Sequence, residues 1–179
     1  MPDPKGAGMP ICRVIMTISL EKAAKPEDWA LIENFLIQAI VRLETAGIPL
    51  WARDEVTTEV LLASYGHDSL YLVKENGQTI GGVFILESDP LFWPKITDND
   101  SLFFHKLVIG DAFITRGIGH RVLQAMVELT KQQGRHWLRC DCHGDRPRLR
   151  NFYESFGFYF IERREVEGFD AALYEYPCL

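Results

Sequence analysis

The sequence is short of three things, and each shortage narrows what the chain can be. It has four cysteines in 179 residues, too few for a disulfide framework, which implies a reducing, cytoplasmic setting. No apolar run approaches the roughly 20 residues that cross a bilayer. Residues 1–9, rich in Pro and Gly, also lack the apolar stretch of a secretory signal. Basic charge is in deficit: 19 Lys and Arg stand against 25 Asp and Glu, a net charge of −6. The basic footprint of a general nucleic-acid binder is therefore missing, and the acidic excess favours cationic amines over acids as ligands. What is present is ordinary globular material, 47% hydrophobic and 25% charged, enough for one domain over residues 11–179 behind a flexible leader of residues 1–10.

Periodicity then orders the chain. Residues 11–20, ICRVIMTISL, alternate and are β-branched, as in a strand. Pro26-Glu27-Asp28 opens a helix in which Trp29, Ile32, Phe35, Leu36, Ala39, Ile40 and Leu43 recur at helical spacing, and Gly47-Ile48-Pro49 stops it. A second helix covers 57–65. Strands at 69–74 and 79–87 flank Asn76-Gly77, a hairpin signal. A long polar and aromatic loop over 88–100 precedes a strand at 102–109. A helix follows at 117–133, then a strand at 137–142, a helix at 146–156, and strands at 158–165 and 171–176. The order β-α-α-β-β-β-α-β-α-β-β predicts an α/β fold, a layered sandwich around a mixed sheet.

Two short segments carry chemistry. The first is Arg116-Gly117-Ile118-Gly119-His120, between a strand and a helix. A Gly-x-Gly alone means little, because 14 glycines supply about one by chance and Gly6-Ala7-Gly8 is another. At a helix N-terminus, however, such glycines leave backbone N–H groups free to converge on a phosphate, and the helix dipole favours the anion. The second segment is 146–158, RPRLRNFYESFGF, an amphipathic helix and a strand in which Tyr153 alone reads as a core tyrosine.

In this order and at this distance, the two segments resemble the GNAT-type N-acetyltransferase superfamily. The resemblance is densest over Leu107 and Ile109, Gly117-Ile118-Gly119, Tyr153 and Gly157-Phe158. It implies a three-layer α/β/α sandwich whose mostly antiparallel sheet is splayed between the fourth and fifth strands. Acetyl-coenzyme A would lie in that splay as cosubstrate. The backbones of Leu107, Val108 and Ile109 would pair with the pantetheine arm, an N–H near Ile109 would face the thioester oxygen, and the turn Thr115, Arg116, Gly117, Ile118, Gly119 and His120 would hold the pyrophosphate. Tyr153 would protonate the departing thiolate, which suits a phenol that keeps its proton at neutral pH. There are two departures. Ile114 stands where the family usually has Arg or Gln, and Arg146 stands where it often has Asn; Arg146 could reach a phosphate of the nucleotide.

The acceptor amine must lose a proton. Glu87, Asp89, His105 and Asp141 are the candidate bases, Glu87 and Asp141 foremost, and Trp51, Asp89, Trp93 and His105 are candidates for the acceptor pocket. Each has a plainer reading: His105 as a satisfied half-buried histidine, Asp141 as the partner of Arg139 or of a helix end. Cys140-x-Cys142-His143 lacks zinc spacing, so no metal is expected. The leading expectation is acetyl transfer to a primary amine on a small molecule or peptide, by direct attack in a ternary complex. Its rival is a non-catalytic acyl-coenzyme A binding or sensing module, which has no need of Tyr153. Nucleic acid and membrane are not expected as partners, and a homodimer is the assembly to look for.

Overall fold

The computed structural model describes residues 17–179. The expected leader and most of the first expected strand lie outside them. Seven strands and four helices follow in the expected order: β1 (Ile18–Lys22), α1 (Pro26–Thr45), α2 (Thr58–Tyr65), β2 (Leu70–Glu75), β3 (Gln78–Leu86), β4 (Ser101–Ile109), α3 (Ile118–Gln132), β5 (Trp137–His143), α4 (Pro147–Phe156), β6 (Tyr159–Val166) and β7 (Phe169–Pro177). The strands form one sheet in the order β1-β2-β3-β4-β5-β7-β6. Every neighbouring pair is antiparallel except β4 and β5. No helix among the described residues is long and apolar enough to cross a membrane.

Local chemistry accounts for the elements. At the start of α1 the Asp28 carboxylate accepts from the backbone N–H groups of Ala24 and Lys25, at 2.9 and 3.0 Å. That ties the incoming chain to the helix end where acidic groups are favoured. The β2–β3 turn places Asn76 at φ 50° and Gly77 at φ 81°, the paired positive angles of a tight hairpin. One face of the sheet packs Trp29, Ile32, Leu36 and Ile40 of α1 and Leu61 of α2 against Leu70, Leu72, Phe84 and Val108. The opposite face packs Val122, Leu123, Met126 and Val127 of α3 and Tyr153 of α4 against Val73, Ile80, Phe104, Leu138 and Cys140. The three layers are those expected.

The sheet is not continuous. β4 and β5 pair only from Ser101/Trp137 to Phe104/Cys140. Beyond that rung β4 stays with β3 through Ile109, while β5 stays with β7 through His143. The register between β3 and β4 shifts between Gly82 and Phe84, and opposite that shift Lys106 takes φ 47°. This is a bulge, which bends its strand and sharpens the local twist. The splay between the fourth and fifth strands is thus present, and the bulge sits at its mouth. β3 reaches β4 closely here: a Cβ on Gly81 would lie 2.2 Å from the Val108 carbonyl oxygen.

Gly81→Ala should therefore cost about 3 kcal/mol or more, because backbone cannot yield as a side chain can. Gly77→Ala, in open space but at positive φ, should cost only about 1–2 kcal/mol. Urea unfolding of both variants checks this. Equal losses would mean that close approach to Val108 is not what Gly81 provides.

Candidate active site

His105 and Asp141 are the first residues beyond the last rung shared by β4 and β5, so they face each other at the apex of the splay. His105 Nε2 lies 3.0 Å from Asp89 Oδ2, and Nδ1 lies 3.1 Å from Asp141 Oδ1. The imidazole is also flanked by the rings of Tyr65 and Phe92, with centroids at 5.6 and 5.7 Å. Burial alone would push its pKa down, but the two carboxylates outweigh burial and raise it to about 9. His105 is thus an imidazolium with both N–H groups facing carboxylates. The donor atoms of Asp89, His105 and Asp141 lie within 4.8 Å of one another, a spacing a cation could bridge. With a proton on each ring nitrogen, the imidazolium of His105 itself supplies positive charge between the two carboxylates.

Asp141 has a further property. Its Oδ1 is buried, and its ion-pair partner among the described residues is His105, at 3.1 Å. Arg139, on the same face of β5, does not serve it. Arg139 donates to Glu175, directly opposite on β7, at 3.0 Å, and to the Ser101 hydroxyl. With one ring N–H facing it, the carboxylate keeps acceptor capacity for a ligand that brings an N–H.

A cavity of about 440 Å³ runs through the splay. Trp51, Glu55 and Tyr65 wall it from the α1–α2 side, and Tyr153 closes it from α4. Tyr153 is buried among Phe104, Phe152, Phe158 and Tyr174, and burial raises its hydroxyl pKa well above the ordinary value. Burial, with Asp141 next in effect, also raises Tyr65. Cys142, on the same wall, is pushed up to about 12 by burial and is an inert thiol near neutral pH. Lys106 lines the cavity with its ammonium 4.9 Å from the centre of the Trp51 ring.

Between β4 and α3, Ile114, Thr115, Arg116 and Gly117 are exposed, and Gly117 takes φ 80° in open space. As at any helix start, the first N–H groups of α3 lack intrahelical acceptors. Gly119 is glycine for a different reason from the expected one: a Cβ there would meet the Phe152 ring at 2.7 Å. It lets α4 close on α3 rather than clearing space for a ligand. The His120 ring likewise turns to α4, with Nε2 3.2 Å from the Phe152 carbonyl oxygen, which leaves its backbone as the part near the turn. Arg146 bonds the Pro49 carbonyl at 2.6 Å, tying the α1–α2 connection to the start of α4.

Of the acceptor-side candidates, the structure brings together Trp51, His105 and Asp141 at the cavity, with Asp89 buried behind His105. Glu87 is elsewhere. It follows the end of β3 that pairs with the start of β4, is largely exposed, and faces Arg135 at 3.1 Å. Trp93 is also removed, packed on Phe103 with Arg139 over its ring; its neighbour Phe92 lines the cavity instead. The sequence reading passed over Glu55, Tyr65 and Lys106. Lys106 left a signal, a lysine next to a histidine inside the apolar strand LFFHKLVI. Glu55 and Tyr65 left none, because only tertiary packing carries α2 to the splay.

Comparison with known proteins agrees with this geometry. Residues 35–158 match the family model described as the acetyltransferase (GNAT) family. The chain is 28% identical over 146 residues to the uncharacterized N-acetyltransferase YesJ of Bacillus subtilis (strain 168), covering 75% of this chain and 78% of that one. Among solved structures, a GNAT-family acetyltransferase of Listeria monocytogenes 4b F2365 superposes with a TM-score of 0.71 at 18% identity, over 89% of this chain and 94% of that one. An aminoglycoside acetyltransferase in complex with coenzyme A and kanamycin superposes with a TM-score of 0.68 at 20% identity, over 90% and 95%. The splayed strands, the glycine turn before α3 and the buried tyrosine of α4 are together accounted for by one conclusion: this chain belongs to the acetyltransferase (GNAT) family.

Proposed function

We propose that the protein transfers acetyl from acetyl-coenzyme A to a primary amine of a small molecule or peptide, by direct attack in a ternary complex. The observation that carries this reading is that Asp141, a carboxylate paired with the His105 imidazolium, lines the same cavity as Tyr153. One group can accept a proton, the other holds its proton tightly, and both stand where β4 and β5 part. That the aminoglycoside acetyltransferase above was solved with kanamycin supports an amine as acceptor.

The residues fit the cosubstrate. On the splay side, the β4 backbone from His105 to Ile109 has no strand partner, so Leu107, Val108 and Ile109 can offer N–H and C=O groups to the pantetheine arm. The turn from Thr115 to His120 offers backbone N–H groups and the dipole of a 15-residue helix to the pyrophosphate. Arg116 adds exposed positive charge, whereas Ile114 adds none. Arg146, bonded to Pro49, acts by holding the α1–α2 connection rather than by reaching a phosphate. The cosubstrate supplies the activated acetyl group; the chain supplies position and protons.

Asp141 accepts the proton of the incoming ammonium, leaving a neutral amine. His105, held protonated between Asp89 and Asp141, fixes the Asp141 carboxylate and does not itself serve as base near neutral pH. Tyr153 donates its proton to the departing thiolate. General acid or base assistance of this kind is worth roughly 10²–10⁴-fold.

Tyr153→Phe removes one hydroxyl and keeps the ring, so kcat should fall about 10²–10⁴-fold with the acceptor KM little changed. Asp141→Asn should lower kcat/KM by about 10²-fold or more. Thiol-release kinetics with a reactive acceptor reads both effects, with calorimetric coenzyme A affinity as the control. Wild-type turnover by Tyr153→Phe would remove Tyr153 from the reaction.

His105 also predicts a pH dependence of stability. Its pKa rises from the ordinary 6.5 to about 9 on folding. The stabilisation is therefore complete below about pH 6.5 and lost as pH climbs through 9, on the order of 3 kcal/mol in all. Urea unfolding at pH 6.5 and 9.5 should show that loss in the wild type and not in His105→Gln. The same slope in both would mean that His105 is not the titrating group.

A further inference from the structure

Lys106 is the one cation on the cavity wall, besides the imidazolium of His105, among the described residues. Its position is unusual in three respects. It adopts φ 47° within a β-strand, a conformation that costs a non-glycine residue energy and persists where the surroundings impose it. Its side chain makes no direct ion pair and no hydrogen bond among the described residues, and its ammonium lies over the Trp51 ring. Burial lowers its pKa, partly offset by Glu55 and Asp141, so its charge is incompletely solvated. The acids nearby are engaged elsewhere: Glu55 accepts from the Ala52 N–H at 3.1 Å, and Asp141 faces His105 at 3.1 Å. A half-buried ammonium with no carboxylate in direct contact is stabilised by an anion that reaches it.

That anion belongs to the acceptor. Lys106 reaches over Trp51, on the α1–α2 wall, whereas the phosphate turn before α3 and Tyr153 of α4 belong to the other face of the sheet. The wall is thus bipolar, with the Asp141 carboxylate at one point and the Lys106 ammonium at another. We infer that Lys106 is the anchor for a carboxylate on the acceptor, so the substrate class is an amine that also carries a carboxylate, as an amino acid does. This rests on the proposed acetyl transfer, and it narrows the cationic amine expected from net charge to a zwitterion.

The test uses α-amino acids and their decarboxylated amines as matched pairs, with wild-type protein, Lys106→Met and Lys106→Arg. Thiol release gives kcat/KM, and calorimetry with coenzyme A present gives binding without turnover. Lys106→Met keeps an unbranched stem over Trp51, and thermal unfolding verifies its fold. Wild type should favour the carboxylated member of its best pair by about 10- to 100-fold. Lys106→Met should bring that ratio to about one, chiefly through KM, and Lys106→Arg should restore most of it. A preference for the decarboxylated amines, or a carboxylate preference that survives in Lys106→Met, overturns the subsite while leaving acetyl transfer intact. Lys106-dependent binding of amino acids with no thiol release from any amine would uphold the subsite and sink the transfer reading. If no amine either binds or reacts, both fall.

Discussion

The site depends on one constraint, the parting of two parallel strands after four rungs. β4 and β5 are each held on their outer side by an antiparallel neighbour, and antiparallel ladders are the slightly stronger pairing. The bulge at Lys106 bends β4 on the β3 side, so the weaker parallel ladder is the one that ends. A sheet interior is normally sealed by its own hydrogen bonds. Here it offers an unpaired strand edge inside the molecule, with helices on both faces to line the opening. In the proposed reaction, backbone for the cosubstrate, carboxylate for the amine and tyrosine for the thiolate would converge because that ladder stops at Phe104 and Cys140.

Charge at the apex is arranged so that little of it is wasted. Burying an imidazolium is costly, and breaking up a buried pair costs more than the pair contributes. His105 meets a carboxylate at each nitrogen and two aromatic rings on its flanks. Two residues before Asp141, Arg139 is buried on the same face of β5, but Glu175, Ser101 and the rings of Trp93 and Trp137 satisfy it. Because Arg139 is already matched across to β7, Asp141 is left to His105 and to whatever enters the splay. A salt bridge between β5 and β7 thus leaves a carboxylate two residues further along β5 to face the cavity.

Much of this was legible in the sequence, for local physical reasons. The order of elements follows from hydrophobic periods, from Asn76-Gly77 and from glycines at helix ends, all of which act over a few residues. The glycine turn before α3 and Tyr153 were legible as a pair because both lie on short, contiguous segments. His105, Asp141 and Asp89 were each open to a plain structural reading, since a strand pattern shows which face a side chain takes but not what waits across the gap.

Only the tertiary structure decided the rest. It sent Glu87 to Arg135 at the far end of β3 and turned Trp93 into the core. It also gave Arg146 to Pro49 and assigned Gly119 to helix packing. Those outcomes turn on which residues far apart in the chain become neighbours, and on whether a charge meets a partner before it meets a ligand. Lys106 shows the division most plainly. Its presence in an apolar strand was visible in the sequence, but its unpaired ammonium over Trp51 exists only because a bulge in β4 and a loop some 50 residues earlier meet at one cavity. The sequence by itself determined the elements and the residue types available for chemistry. Long-range packing determined which of them share a site, because burial and pairing are properties of neighbours in space.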